Sequence, residues 1–306
     1  FRYGQPEKIG GWSLITSDSL IGAVRGQFAW TDLDGVKFDA LGTDRKLYIY
    51  SEGQFLDITP LRATNSITSV FETTNGSTTV TVNHTSHGAS AGDFVTFSST
   101  TAAVGGIPAA TLDAEHEIIS VPNSNTYTVV AGSAATSDVT SGTANCTAAY
   151  QIPIKREFSE PGAGWNAGPW SDSTWNTARE TSVVIFAAGQ WTFANFGEDL
   201  LTWQQNGKVY TWDTSGGMTS TNRATAVSNA PTANRLGLMT APDRHVVCFG
   251  TETTIGTTST QDDLFVRWAD QESTTDWTPT ATNTAGSQRL AGGSRIECAL
   301  LAKRQV

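Results

Sequence analysis

Apolar positions along this chain come in short runs, and most of the runs alternate. Thr78-Thr79-Val80-Thr81-Val82 places valine at every second residue, and Phe94-Val95-Thr96-Phe97, Glu117-Ile118-Ile119-Ser120-Val121 and Tyr127-Thr128-Val129-Val130 are of similar length. Leu47-Tyr48-Ile49-Tyr50 and Val209-Tyr210-Thr211-Trp212 add aromatic-rich versions. Side chains on a strand point to opposite faces with period two, so short runs rich in Val, Ile, Phe, Tyr and Trp predict many β-strands. Gly, Ser, Thr, Asn and Asp separate the runs and supply the turns. The pattern predicts an all-β fold without a helical core.

Composition divides the chain. All 19 Lys and Arg lie outside residues 63–154, and so do all ten Trp, with none between Trp30 and Trp165. The segment holds Glu72, Asp93, Asp113, Glu115, Glu117 and Asp138, and therefore −6 of the net charge of −10. Three of the four His (His84, His87, His116) also fall inside it. Two kinds of domain are expected: a body made of residues 1–64 and 151–306, and an inserted small β-barrel or sandwich over residues 65–150.

The flanks carry a weak internal repeat. Gly42-Thr43-Asp44 precedes Leu47–Tyr50 and then Asp57-Ile58-Thr59-Pro60. Gly197-Glu198-Asp199 precedes Leu200-Leu201-Thr202-Trp203, the turn Asn206-Gly207, and Val209–Asp213. Gly250-Thr251-Glu252 precedes Leu264–Trp268 and then Asp276-Trp277-Thr278-Pro279. Aromatic hairpins recurring roughly every 50 residues fit the blades of a β-propeller, with Asn206-Gly207 expected as a type I′ turn. The material suffices for only a few blades, so the propeller-like body is expected to be incomplete within these residues. An ordinary β-sandwich is the competing architecture.

The order VTVNHTSHGASAGDFVTF, HEIISV, NTYTVV within residues 80–130 resembles the small β-domain named after the first catalytic-cysteine half-domain of ubiquitin-activating enzymes, which implies a fold and no ubiquitin chemistry. In the flanks, Arg2–Trp12, Leu41-Gly42-Thr43 leading into Leu47–Tyr50, the tract Gly162–Trp175, Trp191–Glu198, and Arg267–Glu272 running into Asp276–Pro279 together resemble the nozzle, or tail tubular B, proteins of bacteriophage tails. That resemblance implies a structural virion protein: a propeller, a cyclic ring (hexameric in most members) contacting the tail adaptor and fibre or spike proteins, and a channel through which DNA passes without specific binding. The insert departs from the smallest members.

The residues that could carry chemistry are few. His84 and His87 with Asp93 or His116 could supply imidazole and carboxylate to a metal, although the spacing is not that of a metal motif and no cofactor is expected. Asp262-Asp263, Asp32/Asp34 and Glu115/Glu117 are paired acids of the kind a glycosidase uses, or hairpin-turn residues. Ser171-Asp172-Ser173-Thr174-Trp175 lacks the Gly of a sialidase Asp-box. No Gly-x-Ser-x-Gly elbow, phosphate-binding glycine loop or His-Glu-x-x-His motif occurs, which disfavours an enzyme. Trp165, Trp170 and Trp175 recur every five residues, a spacing of neither helix nor strand, and are either a partner- or glycan-binding shelf or plugs between blades.

Cys146, Cys248 and Cys298 are odd in number and far apart, which argues against a disulfide framework. The Asn-x-Ser/Thr patterns at Asn75, Asn83 and Asn145 would stay bare in a phage. Net negative charge disfavours gripping nucleic acid. No apolar run reaches the ~20 residues of a membrane helix and the first residues do not form a secretory signal, so the chain reads as soluble; starting at Phe1, it is either processed or a piece of something longer. A structural tail protein is the leading expectation. A glycan-binding or depolymerising tail protein is the alternative, and a cellular propeller scaffold a third.

Overall fold

In the computed structural model, residues 16, 18–154, 189–241 and 243–301 are described. They form twenty strands in four sheets with every pairing antiparallel, plus one helical turn, α1 (Ala109–Leu112), and two 3-10 turns. The all-β expectation holds.

Three of the sheets are four-stranded meanders, each built from hairpins in chain order. The first contains β1 (Val24–Thr31), β2 (Lys37–Thr43), β3 (Leu47–Ser51) and β4 (Gln54–Asp57). Next in the chain come β5 (Leu61–Ile67), β6 (Phe71–Thr73), β7 (Thr79–Asn83), β8 (Phe94–Ser98), α1, β9 (Glu115–Asn123), β10 (Thr126–Val130), β11 (Val139–Thr143) and β12 (Cys146–Gln151). These make one eight-stranded sheet ordered β11-β6-β7-β10-β9-β8-β12-β5. The second meander is β13 (Trp191–Phe196), β14 (Asp199–Gln204), β15 (Val209–Trp212) and β16 (Thr225–Ala226). The third is β17 (Leu236–Met239), β18 (Val246–Phe249), β19 (Phe265–Trp268) and β20 (Gly286–Arg289).

The eight-stranded sheet curls around a core of its own, which includes Phe71, Val80, Val82, Phe97, Ile118, Tyr127, Val129 and Tyr150. Its bend comes from β9, whose first residues pair with β8 and whose later ones pair with β10. β5 runs into β6 through Ser69 at φ 53°, and β11 into β12 through Ala144 at φ 60°. The two crossings touch there: the Val70 N–H donates to the Ala144 carbonyl at 3.0 Å. A Cβ on Gly142 would lie 1.9 Å from the Ser69 carbonyl oxygen, so only glycine allows the approach. Sequence pattern anticipates β7 to β10 and misses β5, β6, β11 and β12. β5 buries only Ile67 of its seven residues and so has no alternation to read.

The meanders stack face to face, with their first strands β1, β13 and β17 side by side, and none of the sheets closes on itself. Between the first and second lie Trp30, Phe38, Leu47, Ile49, Trp191, Leu200, Tyr210 and Trp212. Trp212 meets Trp30 and Phe38 edge-on, with centroids 6.4 and 5.6 Å apart. The Trp191 ring lies where a side chain on Gly42 would be, 2.4 Å from the missing Cβ, and its N–H donates to the Thr43 carbonyl at 2.8 Å. Between the second and third lie Leu201, Trp203, Val209, Val246, Cys248 and Trp277. Trp203 occupies the corresponding notch over Gly237, 2.1 Å from its missing Cβ, and donates to Cys248 Sγ at 3.3 Å. Burial pushes that thiol up to about 12, so it stays protonated and packs as a small hydrophobe.

The turn between β14 and β15 differs from expectation. Asn206 is left-handed at φ 56°, but Gly207 is not among the positive-φ residues, so the turn is not type I′. Gly207 instead pairs with Asn234, which leads into the third meander: the Asn206 N–H donates to the Asn234 carbonyl at 2.6 Å, and the Asn234 N–H returns to Gly207 at 3.1 Å. A tertiary bridge replaced the local turn preference.

A methyl group at position 237 has nowhere to go unless the Trp203 ring moves. Gly237→Ala is expected to cost about 1–3 kcal/mol in urea unfolding, whereas Gly292→Ala, which meets nothing within 4 Å, stays within about 0.5 kcal/mol.

Candidate functional site

The third meander is patterned for burial on both faces. One face (Gly237, Val246, Cys248) lies against the second meander; Arg267, on the same face, donates to the Thr253 carbonyl in the loop between β18 and β19 at 2.9 Å. The other carries Leu236, Leu238, Val247 and Phe249, with Val266 and Trp268 beside them. No further sheet covers it among the described residues; Ile296 and Ala299, from the irregular segment after β20, lie over it instead. Ile296 is tied down by an N–H bond to the Asp263 carbonyl at 3.0 Å. An open groove of about 660 Å³ remains between this segment and the sheet, floored by Val247, Phe249, Val266 and Trp268 and edged by His245 and Gln288. Trp268 lies flat over Gly286 of the neighbouring strand, 2.3 Å from its missing Cβ, and its N–H donates to the Thr284 carbonyl at 2.8 Å. The groove is apolar with an aromatic floor and can bury a partner's side chains; Cys298 also lines it, and the Nδ1 of His245 faces the Ala269 carbonyl at 2.8 Å.

A second constellation joins the first meander to the curled sheet. Lys46 is 2% exposed, and its ammonium bonds to Asp57 at 2.8 Å and to Glu115 while lying 4.4 Å from the Phe94 ring centroid. Gln151 donates to Glu115 at 2.6 Å, Arg223 sits 3.4 Å from Asp57, and Arg45 reaches Glu117 at 2.6 Å. Burial alone would raise the Asp57 carboxyl, but the charges of Lys46 and Arg223 and hydrogen bonds from Lys46 and Thr59 outweigh it and hold the group below its usual value. Burial, helped by the charges of Asp57 and Glu115, pushes the Tyr48 hydroxyl up to about 12. The cluster sits where the chain enters and leaves the curled sheet, beside β4 and at the end of β12.

The residues singled out by sequence do not converge on one site. His87 accepts the Ala89 N–H at 3.1 Å and faces the Asn123 carbonyl with its other nitrogen, His116 lies between the carbonyls of Leu112 and Val130, and His84 meets the Tyr150 hydroxyl. No group of three or more His, Cys, Asp and Glu able to hold a metal gathers among the described residues. Asp262 accepts from Arg289 at 2.6 Å, Asp263 faces Arg235, Asp32 closes its own turn onto the Val36 N–H, and Glu115 and Glu117 belong to the ionic cluster. Trp165, Trp170 and Trp175 lie outside the described residues. Sequence reading missed Glu252, fully buried, whose carboxylate accepts from the Thr232 and Gly256 N–H groups. It missed Lys46 as well, which directly precedes the aromatic run Leu47–Tyr50 and follows two other charged residues. Among the described residues no helix is long and apolar enough to cross a membrane.

No protein-family model and no curated protein matches the chain. Among solved structures the chain is similar to the phage phi92 endosialidase at 14% identity and a TM-score of 0.26 over 90% of its residues, and it spans 37% of that protein's length. A likeness at that score decides neither fold nor activity.

The ionic cluster generates two expected outcomes. Lys46→Met leaves Asp57 and Glu115 facing each other and costs about 2 kcal/mol in chemical unfolding, below the usual value for a broken buried pair because those carboxylates keep 20% and 27% exposure. Because the Asp57 carboxyl is depressed in the fold, its contribution is complete above the ordinary value of 3.8 and is lost as pH falls through the folded value. Urea midpoints measured from about pH 6 down to about pH 3 should therefore fall less steeply in Asp57→Asn than in the wild type.

Proposed function

We propose that this chain is a non-catalytic structural component of a bacteriophage tail, of the nozzle or tube type, located in the virion. The three stacked meanders are read as successive blades of a propeller-like body, and the curled sheet, β5 to β12, as the inserted docking domain expected over residues 65–150. The observation that carries the proposal is the outer apolar face of the third meander, whose strands are patterned on both sides like those of the second but which is covered only by the irregular segment around Ile296 and Ala299, with a groove left beside it. A sheet of this kind gains stability by being covered, which is the behaviour of one part in a larger assembly.

The segments that resemble the nozzle proteins support this reading through where they sit. Trp191, from one of them, packs on Gly42 of another, and Trp277, from a third, fills the space between the second and third meanders. The net charge of −10 suits the wall of a channel from which DNA must slide free, since phosphates are repelled. In this reading the partners are further copies in a cyclic, hexameric ring, the tail adaptor, and fibre or spike proteins. The glycan-depolymerising alternative receives less support, because the described candidate carboxylates are engaged in ion pairs and turns.

Native mass measurement of the chain mixed with its tail adaptor should show a closed ring. Leu290→Asp or Trp268→Asp, lining the groove on the outer face, should weaken assembly by at least about 30-fold while circular dichroism stays that of the wild type. A chain that remains monomeric beside the adaptor, or a ring indifferent to both substitutions, refutes the proposal.

A further inference from the structure

One end of the curled sheet opens into a groove of about 490 Å³, where the turn from β5 to β6, the end of β7 and the turn from β9 to β10 converge. Ligand pockets of about 300–1,000 Å³ recur in protein clefts. Its lining includes Ser66, Asn83, His84, Thr85, Asn125 and Thr126, and none of its lining residues is Asp, Glu, Lys or Arg.

Several of these groups are fixed in direction. Tyr127 is fully buried, and the partner of its hydroxyl is the Tyr150 hydroxyl at 2.8 Å, which in turn meets His84 Nδ1 at 2.7 Å. The arrangement that uses every hydroxyl hydrogen has Tyr127 donating to Tyr150 and Tyr150 donating to Nδ1. The Nε2 nitrogen of His84 then carries the proton and is a donor left to the groove. Burial, together with the nearby His87 and Arg62, lowers the His84 pKa and keeps the ring neutral. Asn125 accepts the Ser86 N–H through its carbonyl oxygen, which leaves its NH₂ as the donor end of the side chain. Asn83 donates to Glu72 through its NH₂, which leaves its oxygen as an acceptor. The hydroxyls of Ser66, Thr85 and Thr126 can each donate and accept.

Oriented neutral donors and acceptors, interspersed with hydroxyls and with no formally charged residue in the lining, complement a ligand that is itself a neutral array of hydroxyls. We propose that this groove binds neutral oligosaccharides, with His84 Nε2–H and the Asn125 NH₂ as donors and Asn83 as acceptor. The site is independent of the tail reading and of the Trp165–Trp175 tract.

The test is an amide NMR titration of the full chain with maltotriose, cellotriose and chitotriose, with sialyllactose as an anionic counterpart. At least one neutral trisaccharide should shift the amides of Ser66, Thr85 and Thr126 with a dissociation constant in the millimolar range or below. His84→Phe should weaken binding about ten-fold, and His84→Gln, which keeps a side-chain N–H, should recover part of the loss, with fold verified in each variant from its dispersed amide spectrum. Imidazole nitrogen shifts should show Nδ1 unprotonated near neutral pH. The proposal is overturned by no response to any neutral trisaccharide, by undiminished binding in folded His84→Phe, by a protonated Nδ1, or by a preference for sialyllactose.

Discussion

A β-sheet has two faces, and a sheet with apolar residues on both must be sandwiched to be stable. That constraint organises the body of this protein. The second meander satisfies it in full: Leu200 and Trp212 face the first meander while Leu201 and Trp203 face the third. Contact is close because two tryptophans lie where glycines leave room, Trp191 on Gly42 and Trp203 on Gly237. Each places a large ring against bare backbone, and each indole N–H finds an acceptor on the neighbouring sheet. Stacking depends on the glycines as much as on the rings.

The same constraint explains why the third meander stands out. Its outward face continues the rhythm of the stack, yet its cover is an irregular segment that leaves a groove beside Trp268. The curled sheet follows a different rule. It completes a core without help from the meanders and is held to the first of them by charge rather than by apolar packing, through Lys46, Asp57, Glu115 and Gln151. A buried ionic contact of this kind adds little net stability compared with apolar packing but is demanding in geometry, so it fixes how the two parts meet.

Much of the fold was legible in the pattern of the chain. β3, β7, β8, β10 and β15 fall on runs whose alternation or aromatic content announced them. β5 and β11 did not, because their residues are mostly polar and their strand character comes from pairing with β12 and β6. The Asn206-Gly207 pair marks the turn, but its conformation departs from the local preference, since Asn234, far along the chain, supplies hydrogen bonds that a local rule does not include. As to sites, the histidines drew attention as possible metal ligands, whereas the structure sends their rings to separate partners. The groove beside His84 was invisible, because it is assembled from three turns distant in sequence.

Side-chain periodicity is a local property, so the sequence by itself determined that this protein is built of β-strands, that aromatic hairpins dominate its flanks, and that a stretch free of Lys, Arg and Trp differs from them. Only the tertiary structure decided which strands share a sheet, which face of each sheet is covered, and which charged residues meet. Those depend on contacts such as Trp30 with Glu198 and Lys46 with Glu115, which join residues far apart along the chain. No local pattern encodes such pairs, because each is selected by the packing of whole sheets against one another.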